Sequence, residues 1–107
     1  MSQGIIMGNV AGMYMLSLTI DPAAVATITT AEQTFTMTGV KVGDMVYTSK
    51  PSNTTGVGIV NARVSATDTI AITFVNPTAG SVNPASESWS LLVLRPAGGV
   101  AATSISD

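Results

Sequence analysis

Short runs rich in apolar and β-branched residues alternate along the chain with runs of Gly, Pro, Asn and Ser. The clearest alternation covers Glu32–Thr38, where Phe35 and Met37 fall on one side and threonines fall on the other. A period of two predicts a half-buried strand. The same reasoning predicts strands at Met13–Ile20, Ala23–Thr30, Met45–Ser49, Val57–Ser65, Thr69–Val75 and Trp89–Leu94.

Two of these runs predict a β-hairpin, because Val57–Ser65 and Thr69–Val75 are joined only by Ala66-Thr67-Asp68. Alternate residues of Thr69–Val75 are large and apolar, and the residues between them are also uncharged. A strand without charge on either face is typical of the middle of a sheet. We therefore expect Thr69–Val75 to be a central strand.

Six or seven short strands separated by turns, with no helical period, predict an all-β fold. We expect a small antiparallel β-sandwich, with a small barrel as the alternative. Residues 23–30 are the one place where a helical turn could replace a strand. The pattern divides the chain into an N-terminal arm with the first strand (1–20), a β-sandwich domain (21–96) and a flexible C-terminal tail (97–107).

Composition changes the picture, because only 9% of the 107 residues are charged while 46% are hydrophobic. An average soluble domain is about 25% charged. With a net charge of −2, a monomer would have little charge to keep it in solution. We therefore expect the protein to bury much of its surface against partners.

The absence of His and Cys excludes several kinds of chemistry. Ser–His–Asp and Cys–His catalysis, haem ligation and the usual zinc sites all need one of these residues. The six carboxylates are scattered, and no Asp-x-Asp cluster suggests calcium binding. The four basic residues are also dispersed, which disfavours nucleic-acid binding. The sequence thus predicts a protein that is not an enzyme and needs no cofactor or metal.

The uncharged segment Gly4–Ile20 raises the question of a membrane helix or a signal peptide. It is shorter than a typical span, is interrupted by glycines and polar residues, and has no basic flank. We expect an extended arm instead, which either completes the core of its own domain or lies on a neighbouring subunit. The candidate partner-interface residues are Ile5, Ile6, Met7, Met13, Tyr14, Met15 and Leu16.

Two groups of side chains leave alternatives open. Trp89 could join Tyr14 and Tyr47 in a sugar-stacking platform, but it begins an apolar strand, so we expect it in the core. Arg63 and Arg95 lie in or at the ends of predicted strands. They could pair with carboxylates across a subunit boundary or cap strand edges.

The runs TFTMTGVKVGD (34–44) and GIVNARVSATDTIAITFVN (58–76), with the Pro-Thr-Ala-Gly that follows, resemble the small β-rich decoration, or cement, proteins of tailed-phage capsids. The resemblance covers roughly residues 20–96 and includes no catalytic motif. It implies a homotrimeric β-sandwich, made in the host cytoplasm, that binds the major capsid protein on the outside of an icosahedral head. It would sit there at capsomer junctions and stabilise the shell, without nucleic-acid or membrane partners.

Other phage structural proteins share this composition. One alternative is a tail-fibre or head-fibre module that binds a host receptor or glycan, which would need exposed aromatic residues along one rim. A second alternative is a tail-tube or connector subunit, which would form rings.

Overall fold

The computed structural model describes residues 9–98, and in this range the chain forms six β-strands and no helix. The fold is thus all-β, and the predicted small antiparallel β-sandwich is confirmed. The strands are β1 (Val10–Ile20), β2 (Thr29–Thr36), β3 (Met45–Ser49), β4 (Gly58–Ala66), β5 (Thr69–Asn76) and β6 (Glu87–Pro96).

The strands form two three-stranded antiparallel sheets. Sheet I has the order β1-β6-β3, and sheet II has the order β2-β5-β4. The predicted hairpin is β4–β5, and β5 takes the central position that its uncharged faces predict. In sheet I the central strand is β6, which is the last of the six strands in residues 9–98 and pairs with strands that come far earlier.

The two central strands face each other across the core. Phe74 of β5 and Trp89 of β6 are fully buried, with ring centroids 6.2 Å apart and planes at 73°. This edge-to-face geometry is favourable for aromatic pairs beyond the area that they bury. Trp89 is therefore a core residue, as expected. The other fully or nearly fully buried apolar side chains come from both sheets and their connections: Ile20, Val25, Val40, Ile70, Ile72, Leu91 and Val93.

The predicted strand at Ala23–Thr30 is wrong. Of residues 23–28 only Val25 makes a β-bridge, to Val82, and its side chain is fully buried. The chain then turns at Ile28, whose φ of 48° is unusual for a β-branched residue and is incompatible with a strand. Strand β2 begins directly afterwards, at Thr29.

Other strand boundaries also differ from the prediction. Strand β2 ends at Thr36, two residues early, because the Met37 amide leaves the ladder and donates to the Asp68 carbonyl at 2.9 Å. Strands β1 and β6 are longer than predicted because they pair along their whole length, from Val10 opposite Pro96 to Ile20 opposite Glu87. That pairing places residues 10–20 in the sandwich as a regular strand.

We expect Trp89→Ala to lower the free energy of unfolding by about 3–5 kcal/mol, since it removes the largest core side chain. Urea unfolding followed by circular dichroism measures the difference. Ser88→Ala, which changes the exposed neighbour on the other face of β6, is the matched control and should cost much less. A tryptophan emission maximum typical of water-exposed indole in the native protein would contradict the buried assignment.

Candidate interaction surface

The outer face of sheet I carries two apolar rows that cross all three strands. Residues directly opposite each other on neighbouring strands project from the same face of a sheet. The registers of β1–β6 and β3–β6 therefore align six side chains in two rows, which together we call the outer apolar face. The rows are Met13–Leu94–Met45 and Met15–Leu92–Tyr47.

The outer apolar face is exposed to solvent although it contains only large apolar and aromatic residues. The exposed fractions are 54% for Met13, 86% for Met15, 45% for Met45 and 47% for Tyr47, and the two leucines are half-buried. The next row along the sheet is Ser17–Ser90–Ser49. No charged residue belongs to any of these three rows, so the surface is neutral throughout. A contiguous exposed apolar patch of this kind marks an interaction site.

Strand β1 also exposes apolar residues on its other face. Tyr14 and Leu16 point towards the inner side of sheet I, yet they are 45% and 40% exposed. Farther along the same face of β1, Leu18 packs against the core and Ile20 is fully buried, so sheet II covers only that end of the strand. The part of β1 that carries Tyr14 and Leu16 therefore overhangs the sandwich and leaves a cleft of about 230 Å³, which is lined by Tyr14, Leu16, Thr38, Gly39, Val40, Val93 and Arg95.

Arg95 closes one end of this cleft by joining β6 to the turn at residues 39–44. Its Nε donates to Oδ1 of Asp44 at 3.0 Å, and its Nη2 donates to Oδ2 at 2.7 Å and to the Gly39 carbonyl at 2.8 Å. The Lys41 amide donates to Oδ2 of the same carboxylate at 3.0 Å. The Arg95 guanidinium holds the pKa of the buried Asp44 carboxyl below its ordinary value, and the Lys41 amide acts in the same direction.

The Tyr14 ring lies close to both Arg95 and Gly12, which are opposite each other in the β1–β6 register. The Arg95 guanidinium carbon is 5.6 Å from the ring centroid, which is within the range of a cation–π contact. A Cβ at Gly12 would come within 2.6 Å of the Tyr14 hydroxyl. A side chain at Gly12 would thus displace the ring. These contacts give Tyr14 a defined position on the overhanging strand.

The remaining ion pairs also lie within the chain. Arg63 of β4 binds Glu32 of β2 through two hydrogen bonds of 2.8 Å across the outer face of sheet II. Lys50 donates to Oε1 of Glu87 at 2.6 Å. The partner cations lower the pKa of both glutamates. The sequence left open whether Arg63 and Arg95 pair across a subunit boundary or cap strand edges, and here both pair with carboxylates of their own chain.

Four of the seven predicted interface residues lie in the described part of the chain. Met13, Tyr14, Met15 and Leu16 lie together in β1 and are all exposed. The other three, Ile5, Ile6 and Met7, lie outside the described residues.

Sequence reasoning missed Met45, Leu92 and Leu94 as interface residues, because only the non-local order β1-β6-β3 brings them beside Met13 and Met15. Strand β3 begins with Met-Val-Tyr, so its local sequence does not distinguish the exposed Met45 from the buried Val46.

The three large aromatic residues of sheet I do not form a common platform. Tyr47 is on the outer face, Tyr14 is on the overhanging inner face, and Trp89 is in the core. Among residues 9–98, no three Asp or Glu side chains are grouped so that they could hold a metal ion. The same residues contain no helix long and apolar enough to cross a membrane.

Comparison with protein-family models, curated proteins and solved structures finds no match to this chain.

We expect Asp44→Ala to lower the free energy of unfolding by about 1–3 kcal/mol at pH 7, since it leaves the Arg95 and Lys41 donors unpaired. Because the pKa of Asp44 is lower in the folded state, its stabilisation is present above the unfolded pKa, near 4, and is lost as the pH falls through the folded pKa.

Urea titrations at several pH values should therefore show the difference between wild type and Asp44→Ala shrinking in acid. Asp21→Ala, at an exposed carboxylate without a hydrogen bond among the described residues, serves as the control. A difference that stays constant from pH 7 to pH 2 would show that the Asp44 carboxylate does not supply the stability.

Proposed function

We propose that the protein is a structural virion protein, a capsid decoration or cement protein that binds the outer surface of an icosahedral phage head. The observation that carries the proposal is the outer apolar face, which a small stable sandwich presents to solvent without any charge. Such a surface is unfavourable in a protein that remains alone and favourable in one that is covered after assembly.

The partner in this proposal is the major capsid protein, and the site is the junction where capsomers meet. A homotrimer, as the resemblance implies, would engage several capsomers at once, and each linked contact raises the effective concentration of the next. In this role the protein is made in the host cytoplasm and ends on the virion surface. It needs no active site, nucleic-acid contact or membrane contact.

The rigidity of the face supports this role. Its rows are held on three paired strands, and Met45 and Tyr47 flank Val46, whose side chain is anchored in the core. Binding through a preformed sheet therefore loses little conformational entropy beyond the side chains themselves. Methionine, at three of the six positions, adapts its shape to irregular partner surfaces.

A fibre module that binds a receptor or glycan is the main alternative. Sugar recognition by stacking needs aromatic rings along one rim, whereas Tyr14 and Tyr47 project from opposite faces of sheet I. The structure therefore offers less support for this alternative than for a neutral protein–protein contact. A tail-tube or connector subunit would also use neutral contacts. It would form a ring-sized oligomer, which distinguishes it from a trimeric decoration protein.

Binding of the purified protein to expanded phage heads that lack their decoration protein tests the proposal. We expect saturable binding at a stoichiometry that matches the capsomer junctions. Met45→Lys, which places a charge in the outer apolar face, should weaken the binding by at least about tenfold, or about 1.4 kcal/mol. Val42→Lys is the matched control, because Val42 is 70% exposed in a turn outside that face.

Heads that bind neither wild-type protein nor the Val42→Lys variant would contradict the capsid role. Equal binding of wild type and Met45→Lys would show that the outer apolar face is not the contact. A ring-sized oligomer without head binding would favour the tube or connector alternative.

A further inference from the structure

The free edges of the two sheets differ in how they are protected against pairing with another strand. An exposed edge strand presents unpaired backbone groups, and proteins commonly protect it with charges, prolines, bulges, short length or a covering segment. Four strands of this sandwich have one edge that no other described strand pairs: β1, β2, β3 and β4.

Three of these four edges carry such protection. Strand β4 has register shifts near both ends and carries Arg63. Strand β3 has only five residues and is followed by Lys50-Pro51. Strand β2 carries Glu32, and its Gln33 side chain binds both backbone groups of Ala23, so the preceding segment lies against this strand.

Within residues 9–98, strand β1 carries no charge, no proline and no covering segment, and it is not short. It is the longest strand, with 11 residues. Its pairing with β6 is regular from Gly12 to Ile20, and its only register shift lies at the Val10 end. Both faces around its centre are apolar and exposed, since Met13 and Met15 lie on one face and Tyr14 and Leu16 on the other. A partner that covers this edge must therefore bring apolar residues on both faces of an added strand.

We propose that the edge of β1 binds β1 of a second copy of this chain, antiparallel and about a twofold axis perpendicular to the sheet. The contact would join two copies of sheet I into one continuous six-stranded sheet. This is strand addition between identical edges, which gives a closed, isologous pair. The inference does not depend on a capsid partner.

Apolar residues of β1 lie opposite each other on the two copies when the twofold axis passes between the two Tyr14 residues. A twofold axis perpendicular to the sheet keeps the outer faces of both copies on one side of the joined sheet and the inner faces on the other side. A residue of one β1 and the residue opposite it on the other β1 therefore project from the same face. On the outer face, Met13 then lies opposite Met15 of the second copy. On the inner face, Gly12 lies opposite Leu16 and the two Tyr14 residues lie opposite each other, while the register shift between Val10 and Gly12 ends the regular part of the pairing.

The inner-face pairs in the regular part of this register, Gly12 with Leu16 and Tyr14 with Tyr14, carry no charge. The regular part of the pairing spans Gly12–Leu16 and adds roughly one main-chain hydrogen bond per residue pair, hence about five. It also brings the two outer apolar faces together, because Met13 and Met15 are the edge members of those faces. The overhanging Tyr14 and Leu16 of the two copies meet on the other side of the joined sheet.

The contact predicts particular molecular masses. A twofold pair by itself gives a dimer, and it gives a hexamer if the proposed trimers also form. We expect light scattering at micromolar to millimolar concentration to give two or six copies. A mass of one or three copies throughout that range would overturn the proposal, whether or not the protein binds phage heads.

Two lysine variants separate edge pairing from stacking of the outer apolar faces. Met13→Lys/Met15→Lys places lysines opposite each other across the proposed axis and should dissociate the twofold pair. Met45→Lys changes the same face two strands away from the edge and should leave the pair intact. All three side chains are 45% or more exposed, so the fold should tolerate both variants. Dissociation by Met45→Lys alone, or by both variants equally, would overturn edge pairing.

Disulfide cross-linking tests the register, because the chain has no native cysteine. Directly opposite residues on antiparallel strands have Cα atoms about 4.5–5.5 Å apart, which suits a disulfide. Tyr14→Cys should therefore form a covalent dimer on mild oxidation. Ser17→Cys is the control, since its two copies would be about 20 Å apart. Cross-linking of Ser17→Cys but not Tyr14→Cys, or equal cross-linking of both, would overturn the register.

Discussion

The packing of β6 on β5 is the interaction on which the rest of this structure depends. Phe74 and Trp89 meet at the centre of that contact, and each belongs to the middle strand of its sheet. Sheet II covers the inner side of β6 and β3, where Trp89, Leu91, Val93 and Val46 are all buried. It covers Ile20 at the end of β1 but not Tyr14 and Leu16, which remain exposed. The interaction that forms the core thus also leaves the apolar middle of β1 outside it.

The few charges are arranged so that they do not interrupt this apolar surface. Three of the four basic residues form ion pairs, which tie β4 to β2, β6 to the turn before β3, and the end of β3 to the start of β6. The pair between Arg63 and Glu32 lies on the outer face of sheet II. Sheet I has no corresponding pair on its outer face. The two sheets of the sandwich therefore differ in character, with a polar outer face on one and a neutral apolar one on the other.

Local pattern was enough to predict the parts of the fold that depend on neighbouring residues. The β4–β5 hairpin, the central position of β5 and the burial of Trp89 follow from alternation and from a short connection. The segment around Val25 was misread, because its burial comes from a single bridge to distant Val82 rather than from a strand. The outer apolar face could be predicted only in part, since Met45 and Leu94 join Met13 through pairings between strands far apart in sequence.

The central claim is that the edge of β1 is an interaction surface rather than a free edge. Amide hydrogen exchange of the native protein over a range of concentrations tests it most directly, because a partner strand would protect the β1 amides that do not pair with β6. The account predicts that β1 amides between Gly12 and Leu16 become protected as the protein associates, while those of β2 and β4 do not change. Association without added protection in β1, or with protection confined to another edge, would contradict it.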